Sequence, residues 1–237
     1  MFIRPHHQRI AKVLESLDAD LLKRHNCLFA GGTAIALAYG EYRESVDMDF
    51  LVSDLASYRY LRNSVREQDL QALMKSTDAG QFQTSDIRSD QYGIRTKVFV
   101  EGKPIKFEIV LEGRIGLAKP RKKDSILGVA SLTKLDMAAS KLLANSDRGL
   151  DMGMHCRDVI DLAMLNLSKS EFTEATTKVE AAYGEAILQD LAKVIGILGE
   201  ANGLLERCMK AMDVSVPRAL LWQNMSKLKN LFADVIS

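Results

Sequence analysis

Apolar positions follow two rhythms along this chain. In the first half, helical spacings alternate with short apolar runs. Ile10, Leu14, Leu17 and Leu21 recur at helical intervals, with Arg9, Lys12, Glu15 and Asp18 between them, and predict a helix that stops at His25-Asn26. Cys27-Leu28-Phe29-Ala30 reads as a buried strand, broken by Gly31-Gly32; a second helix opens at Thr33 and runs to Ala38, with Gly40 placed as a left-handed cap. Met48–Val52 reads as another strand, 55–75 as mainly helical, and 76–91 as polar loop. Ile94–Val100 and Pro104–Leu111 alternate like strands around a turn at Glu101-Gly102, a hairpin pattern. From about 130 the strand signal fades. Ser131 is positioned to cap a helix through Leu143, and Asp158–Leu165 continues another; 170–211 and 217–235 are helical, interrupted near Gly184, Gly196, Gly199 and Gly203. The pattern predicts an α/β (α+β) region over 1–128 and an all-helical region over 129–237, with no internal repeat.

Composition narrows the class. The 237 residues are 47% hydrophobic and 27% charged, the balance of a globular protein, and four prolines with 15 glycines leave no collagen-like or long disordered stretch. The net charge of +1 excludes a broadly polybasic nucleic-acid binder, although Lys119, Arg121, Lys122 and Lys123 form a local basic loop able to meet RNA phosphates. No aromatic residue interleaves that loop. Cys27, Cys156 and Cys208 are odd in number and distant in sequence, which argues against a disulfide framework; His155 beside Cys156 has no partner ligands at metal spacing. The charged N-terminus lacks the apolar stretch of a secretory signal, and no run approaches the roughly 20 apolar residues of a membrane span, so a cytoplasmic protein is expected.

The chemistry concentrates in GGTAIALAYGEYRESVDMDF, residues 31–50. A glycine pair between strand and helix lets backbone approach a ligand and leaves helix N-terminal N–H groups for phosphate; Thr33 adds a hydroxyl. Asp47 and Asp49 stand at i and i+2 where a strand begins, so both carboxylates share one face while Met48 and Phe50 take the other. Two like charges side by side suit a cation, and oxygen ligands of this kind suit Mg²⁺. Glu108 projects from the face of its strand opposite Phe107, and would complete three carboxylates if the two strands adjoin. Each piece also has a plain structural explanation. A Gly-Gly turn, a hydrated Asp pair at a strand edge, and a glutamate paired with Lys106 or Lys97 all occur without function.

Taken together, LFAGGTAIALAYGEYRESVDMDFLV, SLTKLDMAASKLLANSDRG and RDVIDLAML resemble the AbiEii/AbiGii-type toxin family within the DNA polymerase β-like nucleotidyltransferase superfamily. The resemblance covers roughly 27–52 and 130–166; the tail after 170 adds only its helical character. It implies a nucleotidyltransferase core with a mixed sheet, followed by a helical domain. It assigns Gly31, Gly32 and Thr33 to the nucleotide phosphates, Asp47 and Asp49 to metal, Glu108 to the third carboxylate, Lys141 to phosphate contact, and Asp158 to the acidic residue of the last motif. Apart from the resemblance, Lys141 with Lys134 reads as a solvated face, and Asp158 and Asp161 as helix N-terminal charges. The roles of Arg43, Ser45 and Asp161 stay open.

The implied activity is transfer of a nucleoside monophosphate from a nucleoside triphosphate to an acceptor hydroxyl, with Mg²⁺ or Mn²⁺, releasing pyrophosphate. The implied setting is a toxin–antitoxin pair, with an antitoxin protein as partner and tRNA or another RNA as acceptor. Two alternatives stand beside it: a small-molecule, antibiotic-type nucleotidyltransferase, and a catalytically silent binding module on the same fold.

Overall fold

The computed structural model describes residues 2–78, 80–151, 156–184, 186–200 and 203–236, so His155 lies outside the described residues. The chain divides into two compact units: Met1–Ala38 with Ser45–Thr133, and Tyr39–Glu44 with Lys134–Ser237.

The first unit is built on a mixed sheet. Helices α1 (Pro5–Ser16) and α2 (Ala19–Arg24) precede strand β1 (Leu28–Ala30), helix α3 (Gly31–Ala38) and strand β2 (Met48–Val52). Then come α4 (Leu55–Gln68), the two-residue strands β3 (Gln83–Thr84) and β4 (Arg88–Ser89), and the hairpin β5 (Gly93–Val100) and β6 (Lys103–Leu111). The strand order is β1-β2-β6-β5-β3, with β4 also paired to β5; β2 and β6 run parallel and the other pairs antiparallel. A small hairpin of β7 (Ser125–Ile126) and β8 (Val129–Ala130) closes the unit.

One face of the central strands is apolar. Met48, Phe50 and Val52 of β2 are buried, as are Ile105, Phe107 and Ile109 of β6. Phe29, Phe50 and Phe107 form a row with ring centroids 5.2 Å apart at each step. Burial of each such ring contributes about 1.5–3 kcal/mol, and this row fixes the strand register, because a one-residue slip would turn it to the opposite face. The opposite face therefore receives Asp49 and Glu108. Helix α3 packs on β1 and β2.

In the second unit α5 (Lys134–Arg148) packs against α6 (Arg157–Met164), α7 (Lys169–Tyr183) and α8 (Ala186–Gly199); α9 (Leu204–Ala211) and α10 (Arg218–Ile236) complete it. Leu142, Leu143, Ile160, Phe172, Leu191, Ile195 and Leu221 are buried. A reciprocal capping box of Ser168 and Glu171 starts α7. Among the described residues no helix is long and apolar enough to cross a membrane.

Several expectations change in detail. The first helical pattern is two helices, because Asp18 leaves the helical path and its carboxylate accepts from the Leu21 amide at 2.8 Å, capping α2. The segment 76–91 carries two short strands that lengthen the sheet edge along β5. Ser131 does not cap α5; it bridges to Phe29 beside β1, and α5 begins at Lys134 and continues to Arg148. Cys27, Cys156 and Cys208 are buried free thiols. The hairpin turn at Glu101-Gly102 holds both residues at positive φ, 52° and 71°, the requirement of a type I′ turn.

Candidate active site

Asp49 lies on β2, on the sheet face opposite the Phe29–Phe50–Phe107 row. Its Cα is paired with Ala30 of β1 on one side and with Glu108 of β6 on the other. Parallel pairing of β2 and β6 thus brings two of the three expected carboxylate positions level. Asp47, two residues earlier and just outside β2, is part-exposed. Glu108 carries ion pairs with Arg95 (3.0 Å) and Lys106 (2.6 Å).

Gly31 ends β1 and starts α3 with φ +71°, a backbone conformation that costs a side-chain-bearing residue free energy. The Cβ of any other residue there would stand 2.3 Å from Asp49 Oδ2 and 2.9 Å from Asp49 Cβ. The first glycine of the pair therefore makes room for the Asp49 carboxylate at the start of α3.

Thr33 is fully buried. Its Oγ1 lies 2.8 Å from Ser45 Oγ and 2.5 Å from the Asp47 carbonyl oxygen. The carbonyl can only accept, so the Thr33 proton goes there and the Ser45 hydroxyl can donate to Thr33. The Ser45 amide donates to His7 Nε2 at 3.1 Å, and His6 Nε2 donates to the Val46 carbonyl at 2.9 Å. Residues 45–47, the approach to the DxD pair, are held from α1 and α3 together. His6 and His7 were missed in the sequence; the one signal was two consecutive histidines following Pro5 at a helix start.

Lys141 and Asp158 occupy the helical unit, in a buried ion cluster. Lys141 Nζ is 2.7 Å from Asp158 Oδ1 and 2.7 Å from Asp161 Oδ2. Arg148 Nε donates to Asp158 at 2.8 Å. Arg43 grips Asp161 with Nε at 2.6 Å and Nη2 at 2.8 Å, and the Tyr42 hydroxyl donates to Asp161 at 2.6 Å. Arg43 belongs to the short segment Tyr39–Glu44, which is also tied by Glu44 N to the Met212 carbonyl and by Ser215 N to the Tyr42 carbonyl. Burial alone would raise the Asp158 and Asp161 carboxyls. Lys141, aided by Arg148 at Asp158 and Arg43 at Asp161, outweighs burial and holds both below the ordinary aspartate value. Burial and the Asp161 charge push the Tyr42 phenol well up. Lys141, Arg148 and Arg43 all face these two carboxylates.

Among the described residues no three His, Cys, Asp or Glu side chains stand grouped as a ready metal site. The donor set still fits a hard divalent ion. Mg²⁺ takes one or two protein carboxylates and completes its shell with water and substrate phosphate, and Asp47 and Asp49 supply two hard oxygen donors on one face. Glu108, level with Asp49, already carries Arg95 on one oxygen and Lys106 on the other.

The family model described as nucleotidyl transferase AbiEii toxin, type IV TA system, matches residues 12–227, nearly the whole chain. The chain belongs to this family. It is a nucleotidyltransferase with the family's mixed α/β architecture, and the AbiEii family is one of toxins in toxin–antitoxin systems. Among solved structures, the chain is similar to MenT4, a nucleotidyltransferase toxin from Mycobacterium tuberculosis, at 15% identity over 98% of this chain and 86% of that one, TM-score 0.49. It is also similar to JHP933 from Helicobacter pylori, at 16% identity over 98% and 97% of the two chains, TM-score 0.46. Neither likeness bears on substrate. No curated protein sequence matches the chain.

Proposed function

We propose that this AbiEii-family chain transfers a nucleoside monophosphate from a nucleoside triphosphate to a hydroxyl of RNA, tRNA being the leading class, in a metal-dependent reaction in the cytoplasm, and that an antitoxin protein opposes it. The observation that carries the reading is the level pairing of Asp49 with Glu108, with Gly31 packed against the Asp49 carboxylate.

In this reading the first N–H groups of α3, at Gly31, Gly32 and Thr33, receive triphosphate oxygens, since a helix N-terminus offers unpaired donors and positive potential. Thr33 acts through its hold on the Asp47 carbonyl. The acceptor oxygen attacks the α-phosphorus, the bond to the bridging oxygen of the β-phosphate breaks, and pyrophosphate departs. One carboxylate of Asp47, Asp49 and Glu108 takes the acceptor proton. Mg²⁺ or Mn²⁺, held by Asp47 and Asp49 with Glu108, supplies neutralisation of the phosphate charge when bound. Family membership supports a phosphate-contacting role for Lys141, with Asp158 orienting it. Most of the rate comes from positioning and charge stabilisation. The exposed Lys119, Arg121, Lys122 and Lys123 supply non-specific attraction for RNA phosphates.

Calorimetric titration with a non-hydrolysable nucleoside triphosphate, with and without Mg²⁺, tests the reading. Tight binding only with metal is expected. Equal affinity in both conditions would remove the metal from it. Incubation with total RNA and each labelled nucleoside triphosphate tests the acceptor; label found only on small molecules would move the antibiotic-type alternative ahead.

A further inference from the structure

The sequence shows no aromatic residue among its clustered basic side chains at 119–123. The fold makes such a combination elsewhere, from residues 35 positions apart. His25, at the C-terminal end of α2, stacks on Tyr60 of α4, with ring centroids 4.0 Å apart and planes 12° from parallel. Tyr60 is 49% exposed and His25 is half-buried. Lys23 and Arg24 form the last turn of α2 and are exposed, as is Arg59, next in the chain to Tyr60. Among the described residues none of these three cations has an ion-pair or hydrogen-bond partner. Asp54 is the carboxylate felt by His25, and its oxygens are spent on the Ser57 and Ala56 amides at the start of α4.

A helix dipole accounts for Lys23 and Arg24 at the end of α2. It does not account for a half-exposed tyrosine stacked beside them, whose burial would contribute more than its exposure. Flat aromatic faces bordered by unpaired cations are what single-stranded nucleic acid uses: bases continue the stack and phosphates meet the cations. The pair lies off the Leu28–Leu51 end of the β1–β2 ladder, whereas Asp49 pairs with Ala30 at the other end. It is therefore a site separate from the carboxylates.

We propose that the His25–Tyr60 stack, with Lys23, Arg24 and Arg59, is a docking site for an unpaired base and its flanking phosphates in single-stranded RNA. The inference rests on the RNA-acceptor reading for its biological sense. It assigns to α2 and α4 the holding of a single-stranded region of the acceptor away from its reacting end.

Fluorescence anisotropy of a labelled single-stranded RNA oligonucleotide on the full chain is the test. Tyr60→Ala should weaken binding about 5- to 100-fold, the range for loss of one base-stacking ring. Tyr60→Phe and Tyr60→Trp should stay within about twofold of wild type, because the stack needs the ring and not the hydroxyl. Arg24→Gln and Arg59→Gln should each reduce the slope of log affinity against log salt by about 0.7. Binding by Tyr60→Ala equal to wild type overturns the proposal, as does loss in Tyr60→Phe equal to that in Tyr60→Ala, equal competition by duplex RNA, or no RNA binding by the wild type. If wild type labels only small molecules while Tyr60-dependent RNA binding persists, the acceptor reading fails and the docking site stands. If it labels RNA and Tyr60→Ala binds unchanged, the docking site fails and the acceptor reading stands.

Discussion

The two units hold their acidic residues in opposite ways. In the sheet unit, Asp49 and Glu108 are placed by backbone register, Asp47 just precedes β2, and all three keep some exposure. In the helical unit, Asp158 and Asp161 are buried and bound by Lys141, Arg148, Arg43 and Tyr42. A part-exposed carboxylate placed by backbone register can reach a ligand from its open side, and the apolar row on the other face holds the strands in place without it. A buried carboxylate that answers several cations is part of the fold, because its removal leaves those cations unpaired. Substitutions of one residue type should thus separate activity from stability.

The largest expected effect is Asp49→Asn. The change keeps shape and removes charge, so activity should fall by about 10²-fold or more, while the melting temperature stays near wild type. In cells it should relieve growth arrest at matched expression. Undiminished arrest would assign the effect to binding. Next is Asp161→Ala, which removes the carboxylate that Arg43 grips, leaves Lys141 with Asp158 alone, and should cost about 3–5 kcal/mol in urea unfolding; a loss under 1 kcal/mol would show that the cluster is not a buried ion network. Gly31→Ala should follow, lowering activity through displacement of Asp49, with a stability cost of about 1–3 kcal/mol from the left-handed backbone. An active Gly31→Ala would contradict the close packing of Gly31 on Asp49. The smallest is Glu108→Gln, whose ion pairs are part-exposed and worth about 0–1 kcal/mol, so only activity should change.

Acid titration sharpens the same contrast. Asp158 and Asp161 have folded-state pKa values below the ordinary 3.8. Their stabilisation is therefore complete above the unfolded value and drains as pH falls below about 4 toward the lower folded values. Urea midpoints should be insensitive to these groups between about pH 5 and 8 and fall below that. Asp158→Asn should flatten the acid limb.

The strands and helices that carry the carboxylates were legible because their signals are local. Alternation in MDFLV and KFEIV gives the faces, and a glycine pair marks the β1–α3 junction. The adjacency of β2 and β6 was not, since parallel pairing joins segments nearly 60 residues apart through a register set by Phe29, Phe50 and Phe107. The division at Asp18 escaped because a capping aspartate inside a periodic pattern looks like a surface charge. The partnership of Arg43 with Asp161 escaped for a different reason. A single arginine before a DxD pair carries no sign that its counter-charge lies 118 positions on. Asp161 does have a local sign, its i+3 spacing from Asp158, which places both on one face of α6. The His25–Tyr60 stack joins two separate helices and has no linear signature at all.

In the proposed reaction a register-placed carboxylate, Asp49, drives nucleotide transfer. Transfer of labelled nucleoside monophosphate to total RNA, with wild type, Asp49→Asn and Tyr60→Ala at matched folded concentration and saturating RNA, tests it most directly. Robust labelling by wild type is expected, with labelling by Tyr60→Ala restored at saturation and labelling by Asp49→Asn reduced about 10²-fold or more. Labelling by a folded Asp49→Asn protein at the wild-type rate would contradict it.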